Sequence, residues 1–202
     1  MAVAALLMAG GRGTRMGKEI EKPLLRIAGK PMIQYVTEAL KGSEFIDRII
    51  VAVTPTTPRT AQKAVELGLE VTETHGHGYE SDMKEVIKAL RLGDVVIVSA
   101  DLPFLTPELL DEAIKRYFSI RKPALMVAAP LELYRRSHLA PSYVFEIDGR
   151  KVVPVGVNII NGKMIDQPKL EEAMFMTELE NLAVNVNTPA ELKIARRRAI
   201  HN

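Results

Sequence analysis

The chain has 202 residues, 47% of them apolar, and a formal net charge of +2. That is enough apolar material for one sizeable core, and the near-balanced charge with few aromatics argues against a nucleic-acid surface. With no cysteine in the chain, disulfides, thiolate metal sites and cysteine nucleophiles are excluded.

Met1–Met8 is apolar but short, lacks a basic leader and runs into glycines, so it reads as a strand and not as a signal peptide. No apolar run reaches the roughly 18 residues of a membrane span, and a soluble, cytoplasmic protein is expected. After a first strand at Val3–Leu7, Pro31–Leu40 reads as a helix with Ile33, Val36 and Leu40 on one face. Strands at Arg48–Val53 and Leu69–Thr72 bracket a helix at Pro58–Leu67. A helix over Ser81–Arg91 leads to Asp94–Ser99, whose near-continuous apolar character suits a strand buried on both faces of a parallel sheet. Thr106-Pro107 opens a helix through Phe118.

The rhythm changes after Pro123. Ala124–Ala129 reads as a strand, Tyr143–Ile147 and Lys151–Val155 as a hairpin around Asp148-Gly149, and Val157–Ile160 as a separate strand. A short helix is expected at Lys169–Thr177 and a last strand at Leu182–Val186. Thr188-Pro189-Ala190-Glu191 is a capping box that starts the final helix. Its basic end, Arg196-Arg197-Arg198, suits the helix dipole. The expected architecture is α/β: an open, mostly parallel, Rossmann-like sheet with helices on both faces and a small β-rich insertion. One domain over 1–202 is expected, with residues 130–165 as its β-rich part.

The segment Leu7-Met8-Ala9-Gly10-Gly11-Arg12-Gly13-Thr14-Arg15-Met16-Gly17, followed by Glu21-Lys22-Pro23-Leu24, concentrates the chemistry. Glycines after a buried strand let the backbone approach a ligand and aim N–H groups at phosphate oxygens. Arg15 and Lys22 supply cations for a triphosphate. The loop is neither a Rossmann fingerprint, which needs glycine where Met16 stands, nor a Walker A loop, which needs glycine at Arg12 and Ser or Thr at Glu19. Asp101, in Val98-Ser99-Ala100-Asp101-Leu102-Pro103, lies just past a strand's carboxyl end, where open α/β sheets bind ligands. A carboxylate there suits Mg²⁺; the alternative is a turn-forming residue ahead of Pro103.

These strings resemble the signature of the nucleotidyltransferase superfamily, which includes molybdenum cofactor guanylyltransferases, sugar-nucleotide pyrophosphorylases and isoprenoid cytidylyltransferases. The resemblance implies a catalytic set of Arg15, Lys22 and Asp101. It implies nucleotide binding by Met8, Ala9, Gly10, Gly11, Gly13, Thr14, Lys22, Gly78 and Asp101. It also implies Mg²⁺ as cofactor, held by Asp101 and Asn187, with Asn185 as a weaker candidate; Asn187 could otherwise simply precede the helix cap. The base-reading loop falls at Gly78-Tyr79-Glu80 in place of Gly-Pro-Leu. That departure, with Val153-Pro154-Val155-Gly156-Val157-Asn158 after the hairpin, is similar to the archaeal adenosylcobinamide-phosphate guanylyltransferases of cobalamin assembly. The implied partners are therefore GTP and adenosylcobinamide phosphate, with Gly156 and Asn158 on the acceptor side. A homodimer is left open, as are contacts from His75, His77, Arg135 and Arg136. A molybdopterin, cytidylyl or sugar-phosphate enzyme and a GTP-binding regulatory protein are the competing expectations.

Overall fold

The computed structural model describes residues 2–11, 13–17, 20–137, 139, 141 and 143–200. Val3–Met8 forms β1. A small ribbon of β2 (Arg26–Ile27) and β3 (Lys30–Pro31) precedes α1 (Met32–Gly42), then β4 (Ile46–Val53), α2 (Pro58–Glu66), β5 (Glu70–Glu73), α3 (Tyr79–Ala89) and β6 (Asp94–Ser99). The chain continues with α4 (Pro107–Ile120), β7 (Ala124–Pro130), α5 (Leu131–Arg136), β8 (Phe145–Ile147), β9 (Arg150–Asn161), β10 (Glu172–Met176) and α6 (Pro189–Arg198). The main sheet runs β10-β7-β9-β6-β1-β4-β5, with β8 paired to β9. β6, β1, β4 and β5 are mutually parallel, as are β10 and β7, while β9 runs antiparallel between β6 and β7.

Alternation along the central strands divides the core in two. Ala5, Leu7, Val51, Val53, Val96 and Val98 point into the larger cluster, built with α1, α4 and Ala64 of α2. Their neighbours Leu6, Ile50, Ala52, Val95 and Ile97 point the other way and meet Met83, Val86 and Ile87 of α3. A strand buried on both faces must be apolar at every position, which is why these strands read as continuous runs. Helices therefore cover both faces, though unevenly.

Four expectations need correction. Pro31 lies in β3 and precedes α1 instead of sitting in its first turn. Residues 172–176 form β10, parallel to β7, and not a helix: Ala173 and Phe175 alternate inward beside half-buried Met174 and Met176. Leu182–Val186 pairs as no strand; Glu180–Ala183 is a 3-10 turn, and Val186 N–H bonds instead to the Asp101 carbonyl at 3.0 Å. Lys151–Val155 and Val157–Ile160 are one strand of 12 residues, interrupted in its pairing with β7 by a register shift. Gly156, at φ 87°, accommodates that irregularity; a β-bulge of this kind bends a strand and does not end it.

Candidate active site

The carboxyl ends of β6, β1, β4 and β5 open onto a cleft of about 590 Å³. Open parallel sheets place ligands there, because the loops leaving the strand ends are free to build a pocket. Met8, Ala9, Gly10 and Gly11 form one wall and continue β1. A Cβ at Gly10 would lie 2.5 Å from Thr54 Cγ2, so this loop can pack against the end of β4 only as glycine. The Thr54 hydroxyl fastens it by donating to the Gly10 carbonyl at 2.9 Å. Gly13 and Thr14 do not line the cleft; Thr14 opens the 3-10 turn Thr14–Met16 that carries Arg15 to its edge.

Lys22 enters from a second 3-10 turn, Lys22–Leu24. Its neighbour Glu21 explains the placement. The Glu21 carboxylate accepts the Arg59 N–H at 3.0 Å and the Thr60 N–H, capping the first turn of α2, where unpaired amides and the helix dipole favour an anion. With Glu21 fixed outward, Lys22 Nζ reaches inward to Asp101 Oδ2 at 2.7 Å and Asn187 Oδ1 at 2.9 Å. Only 17% of the lysine side chain and 12% of the aspartate remain exposed, so this pair is more strongly coupled than a surface salt bridge.

Asn187 is held by the capping box of α6. Glu191 Oε2 accepts the Asn187 and Thr188 N–H groups at 2.7 and 2.8 Å, and Thr188 Oγ1 accepts the Glu191 N–H at 3.3 Å. Asn185 does not join it. Its Nδ2 donates to the Val155 carbonyl at 3.4 Å, and its Oδ1 is buried without a hydrogen-bond partner. Asp101 Oδ1 is likewise buried and without a partner.

A divalent metal fits this donor set. Two hard oxygens converge on a point already held by a cation, and a third, Asp101 Oδ1, carries unused acceptor capacity. Among the described residues no cluster of three or more carboxylate or imidazole groups is found.

The β5 side of the cleft is built from Thr54–Thr56, Thr74–Gly76, Gly78 and Asp82, while Tyr79 reaches back toward Ser99. Gly78 precedes α3 as its N-cap. Tyr79 is 44% exposed as a residue, yet its phenol end is buried. Burial pushes that phenol up to about 12, Asp101's charge adds to the shift, and a hydrogen bond with Ser99 opposes it. His75 lines the cleft and pairs through Nδ1 with Glu85 Oε1 at 2.8 Å; His77 stacks on His75 but does not line the cleft.

The two expected acceptor-side residues lie elsewhere. Asn158 pairs with Ile97 and Met126 inside the sheet, and Gly156 sits behind Ser99, where a Cβ would meet Ser99 Oγ at 3.3 Å. Neither lines the cleft. Arg135 and Arg136 are exposed on α5, and Arg136 pairs with Glu180. Thr54, Thr74, Ser99 and Asp82 line the cleft without having been singled out from the sequence. For Thr54, Thr74 and Ser99 a signal existed, since each is a polar residue at the carboxyl end of a strand, as Asp101 is.

A βαβ sheet with a glycine loop, a buried lysine–aspartate pair and a cleft at its carboxyl edge defines a class of nucleotide-handling proteins. The chain matches the MobA-like NTP transferase domain over residues 5–152 and belongs to that family. It is 34% identical to the adenosylcobinamide-phosphate guanylyltransferase of Methanocaldococcus jannaschii, over 95% of this chain and 94% of that one. It is 36% identical to a probable molybdenum cofactor guanylyltransferase of Thermococcus kodakarensis, over 58% of this chain and 55% of that one. Among solved structures, a CMP-2-keto-3-deoxy-manno-octonic acid synthetase complexed with CTP superposes with a TM-score of 0.78 at 17% identity, covering 99% of this chain and 98% of that one. The molybdopterin-guanine dinucleotide biosynthesis protein A of Archaeoglobus fulgidus gives 0.70 at 18%, covering 98% and 100%. The fold is that of the nucleotidyltransferases. Among the described residues no helix is long and apolar enough to cross a membrane.

Proposed function

We propose that the chain transfers GMP from GTP to the phosphate of adenosylcobinamide phosphate and releases pyrophosphate. The observation that carries the nucleotidyl-transfer chemistry is the convergence of Lys22, Asp101 and Asn187 in the cleft. The extent of similarity supports the acceptor: the Methanocaldococcus relative matches along 95% of this chain, the Thermococcus one along only 58%. The reaction forms a bond from an acceptor phosphate oxygen to the α-phosphorus and breaks the bond to the bridging oxygen of pyrophosphate. That acceptor is already ionised near neutral pH, so no general base is required.

The protein's part is to align two anions and offset the charge they bring. Met8, Ala9, Gly10 and Gly11 present backbone to the nucleotide, with Gly13 and Thr14 shaping the turn behind Arg15. Arg15 and Lys22 face the departing phosphates, and Gly78 closes the base end. Asp101 and Asn187 would hold Mg²⁺, which supplies Lewis-acid stabilisation of phosphoryl oxygens when bound. The same two oxygens currently hold Lys22, so the lysine is positioned within reach of any phosphate beside them. Gly156 reaches the cleft only through Ser99, and Asn158 is placed to shape the sheet behind it. One domain over residues 1–202 remains part of this proposal.

The test is a thermal-shift screen of the four nucleoside triphosphates with Mg²⁺, followed by pyrophosphate release with cobinamide phosphate, molybdopterin and sugar phosphates. GTP with cobinamide phosphate is the expected pair. A preference for CTP or UTP removes the guanylyl reading, and turnover with molybdopterin alone removes the acceptor.

A further inference from the structure

The cleft has two acidic lining residues at opposite ends, and the mechanism uses only one of them. Asp101 lies at the end shared by β1 and β6 and is paired with Lys22. Asp82 lies at the other end, on α3, which packs against β1 and β4. It is 7% exposed. Its Oδ1 accepts the His77 N–H at 3.1 Å, which fixes the carboxylate against the loop before α3. Among the described residues it forms no salt bridge, although its charge acts on His75 nearby.

Held by the His77 N–H in the first turn of α3, where the helix dipole favours an anion, this carboxylate lines the cleft with acceptor capacity left for N–H donors of a ligand. The phosphates belong at the Lys22 end, so Asp82 meets the base. Adenine and cytosine each offer one amino group beside a ring nitrogen lone pair that a carboxylate repels. Uracil offers a single N–H between two carbonyls. Guanine presents its N1–H and 2-amino donors side by side, the pattern a carboxylate accepts with both hydrogen bonds charge-assisted.

We propose that Asp82 is the residue that selects guanine, by accepting hydrogen bonds from N1–H and the 2-amino group. This rests on the reading that GTP is the donor. Bound GTP thereby supplies the donors that the carboxylate lacks, and adenine leaves it buried and poorly paired.

The experiment is calorimetric titration, with Mg²⁺, of GTP, ITP, XTP and ATP against the wild-type protein and Asp82→Asn, with melting temperatures alongside. Inosine lacks the 2-amino group and should bind the wild type about tenfold more weakly than GTP; xanthine, with a carbonyl there, should bind more weakly still. Asp82→Asn keeps an oxygen for the His77 N–H and offers an amide N–H to the xanthine carbonyl. It should lose about tenfold or more in GTP affinity and bind XTP ahead of GTP, at an unchanged melting temperature. If the wild type favours GTP but the variant retains the wild-type order and affinity, Asp82 is not the selector and the donor assignment stands. A wild type that prefers another base removes both. Should the variant melt early, the wild-type comparison still decides: equal affinity for GTP and ITP overturns the proposal.

Discussion

Residues 3–101 and residues 124–198 build one sheet and use it in opposite ways. The first segment contributes four mutually parallel strands, whose carboxyl ends aim every loop at the cleft; all lining residues except Asn187 come from it. The second threads β9 antiparallel between β6 and β7, and among the described residues brings a single side chain to the cleft by a long return through Asn187. It also holds two of the buried side-chain atoms without partners, on Tyr134 and Asn185. Parallel strands with helical crossovers repeat one local solution, whereas the second segment depends on pairings between residues far apart in the chain. Chemistry is concentrated where the architecture is regular.

The comparison breaks most easily at Asp101, the point where the segments meet. Asp101→Asn should lower turnover on the order of a thousandfold, since it removes the carboxylate paired with Lys22 but little volume. Pyrophosphate release and melting temperature should be read together; activity within threefold of wild type would take Asp101 out of the reaction. Next come Lys22→Ala and Arg15→Ala, each expected to lose about 2 kcal/mol of transition-state stabilisation, roughly thirtyfold in rate. Lys22→Arg should rescue only in part, because a planar fork cannot take the place of a compact ammonium between Asp101 and Asn187. Full activity in Lys22→Arg would mean that the geometry at that point is not limiting.

A substitution outside the cleft sharpens the contrast. At Gly162, which follows β9, a Cβ would lie 2.4 Å from the Leu92 carbonyl and 2.8 Å from that of Gly93. Gly162→Ala should cost about 1–3 kcal/mol of stability through that backbone clash. KM for GTP should hold near the wild-type value at a temperature where the variant is folded. A changed KM with an unchanged denaturation midpoint would show that the second segment governs the cleft more directly than its geometry indicates.

The smallest effect concerns His75 and Glu85. The Glu85 carboxylate raises the His75 imidazole, and His75 lowers Glu85 in turn. The raised histidine contributes fully below its ordinary value of 6.5 and loses its contribution as pH climbs through the higher folded value. The lowered glutamate contributes fully above 4.5 and loses its contribution as pH falls through its own folded value. The pair is therefore at full strength between 4.5 and 6.5. In an NMR titration Glu85→Gln should bring the His75 midpoint down; an unmoved midpoint would show that the contact is not held in solution. Both groups are solvated, so melting temperature should barely respond.

How much could be read from the chain follows the same division. β6 matches its expected bounds, Asp94–Ser99, because both its faces are buried and its four central residues, Val95–Val98, are all apolar. β10 was misread because half-buried Met174 and Met176 blur the alternation that inward Ala173 and Phe175 would otherwise display. Leu182, Ala183, Val184 and Val186 are buried apolar residues, and burial alone does not supply a strand partner. In the site, Lys22 and Asp101 were legible from motif and strand-end position, but their mutual contact was not, since 79 residues separate them. Asp82 lies inside α3, where an acidic residue in the first turn looks like ordinary helix chemistry.

The last helix deserves to be seen as a fastening. At one end α6 holds Asn187 through the Glu191 carboxylate. Toward the other, Arg196 Nε donates to the Arg26 carbonyl at 3.0 Å, four positions along the chain from Lys22. The two partners of one hydrogen bond in the cleft are thus tied to the same rod. Local opening of that rod, which costs less than global unfolding, would loosen both ends together. Amide exchange along α6 should consequently slow whenever a ligand ties Lys22 and Asn187 down, and the helix becomes a reporter of occupancy at a site it does not line.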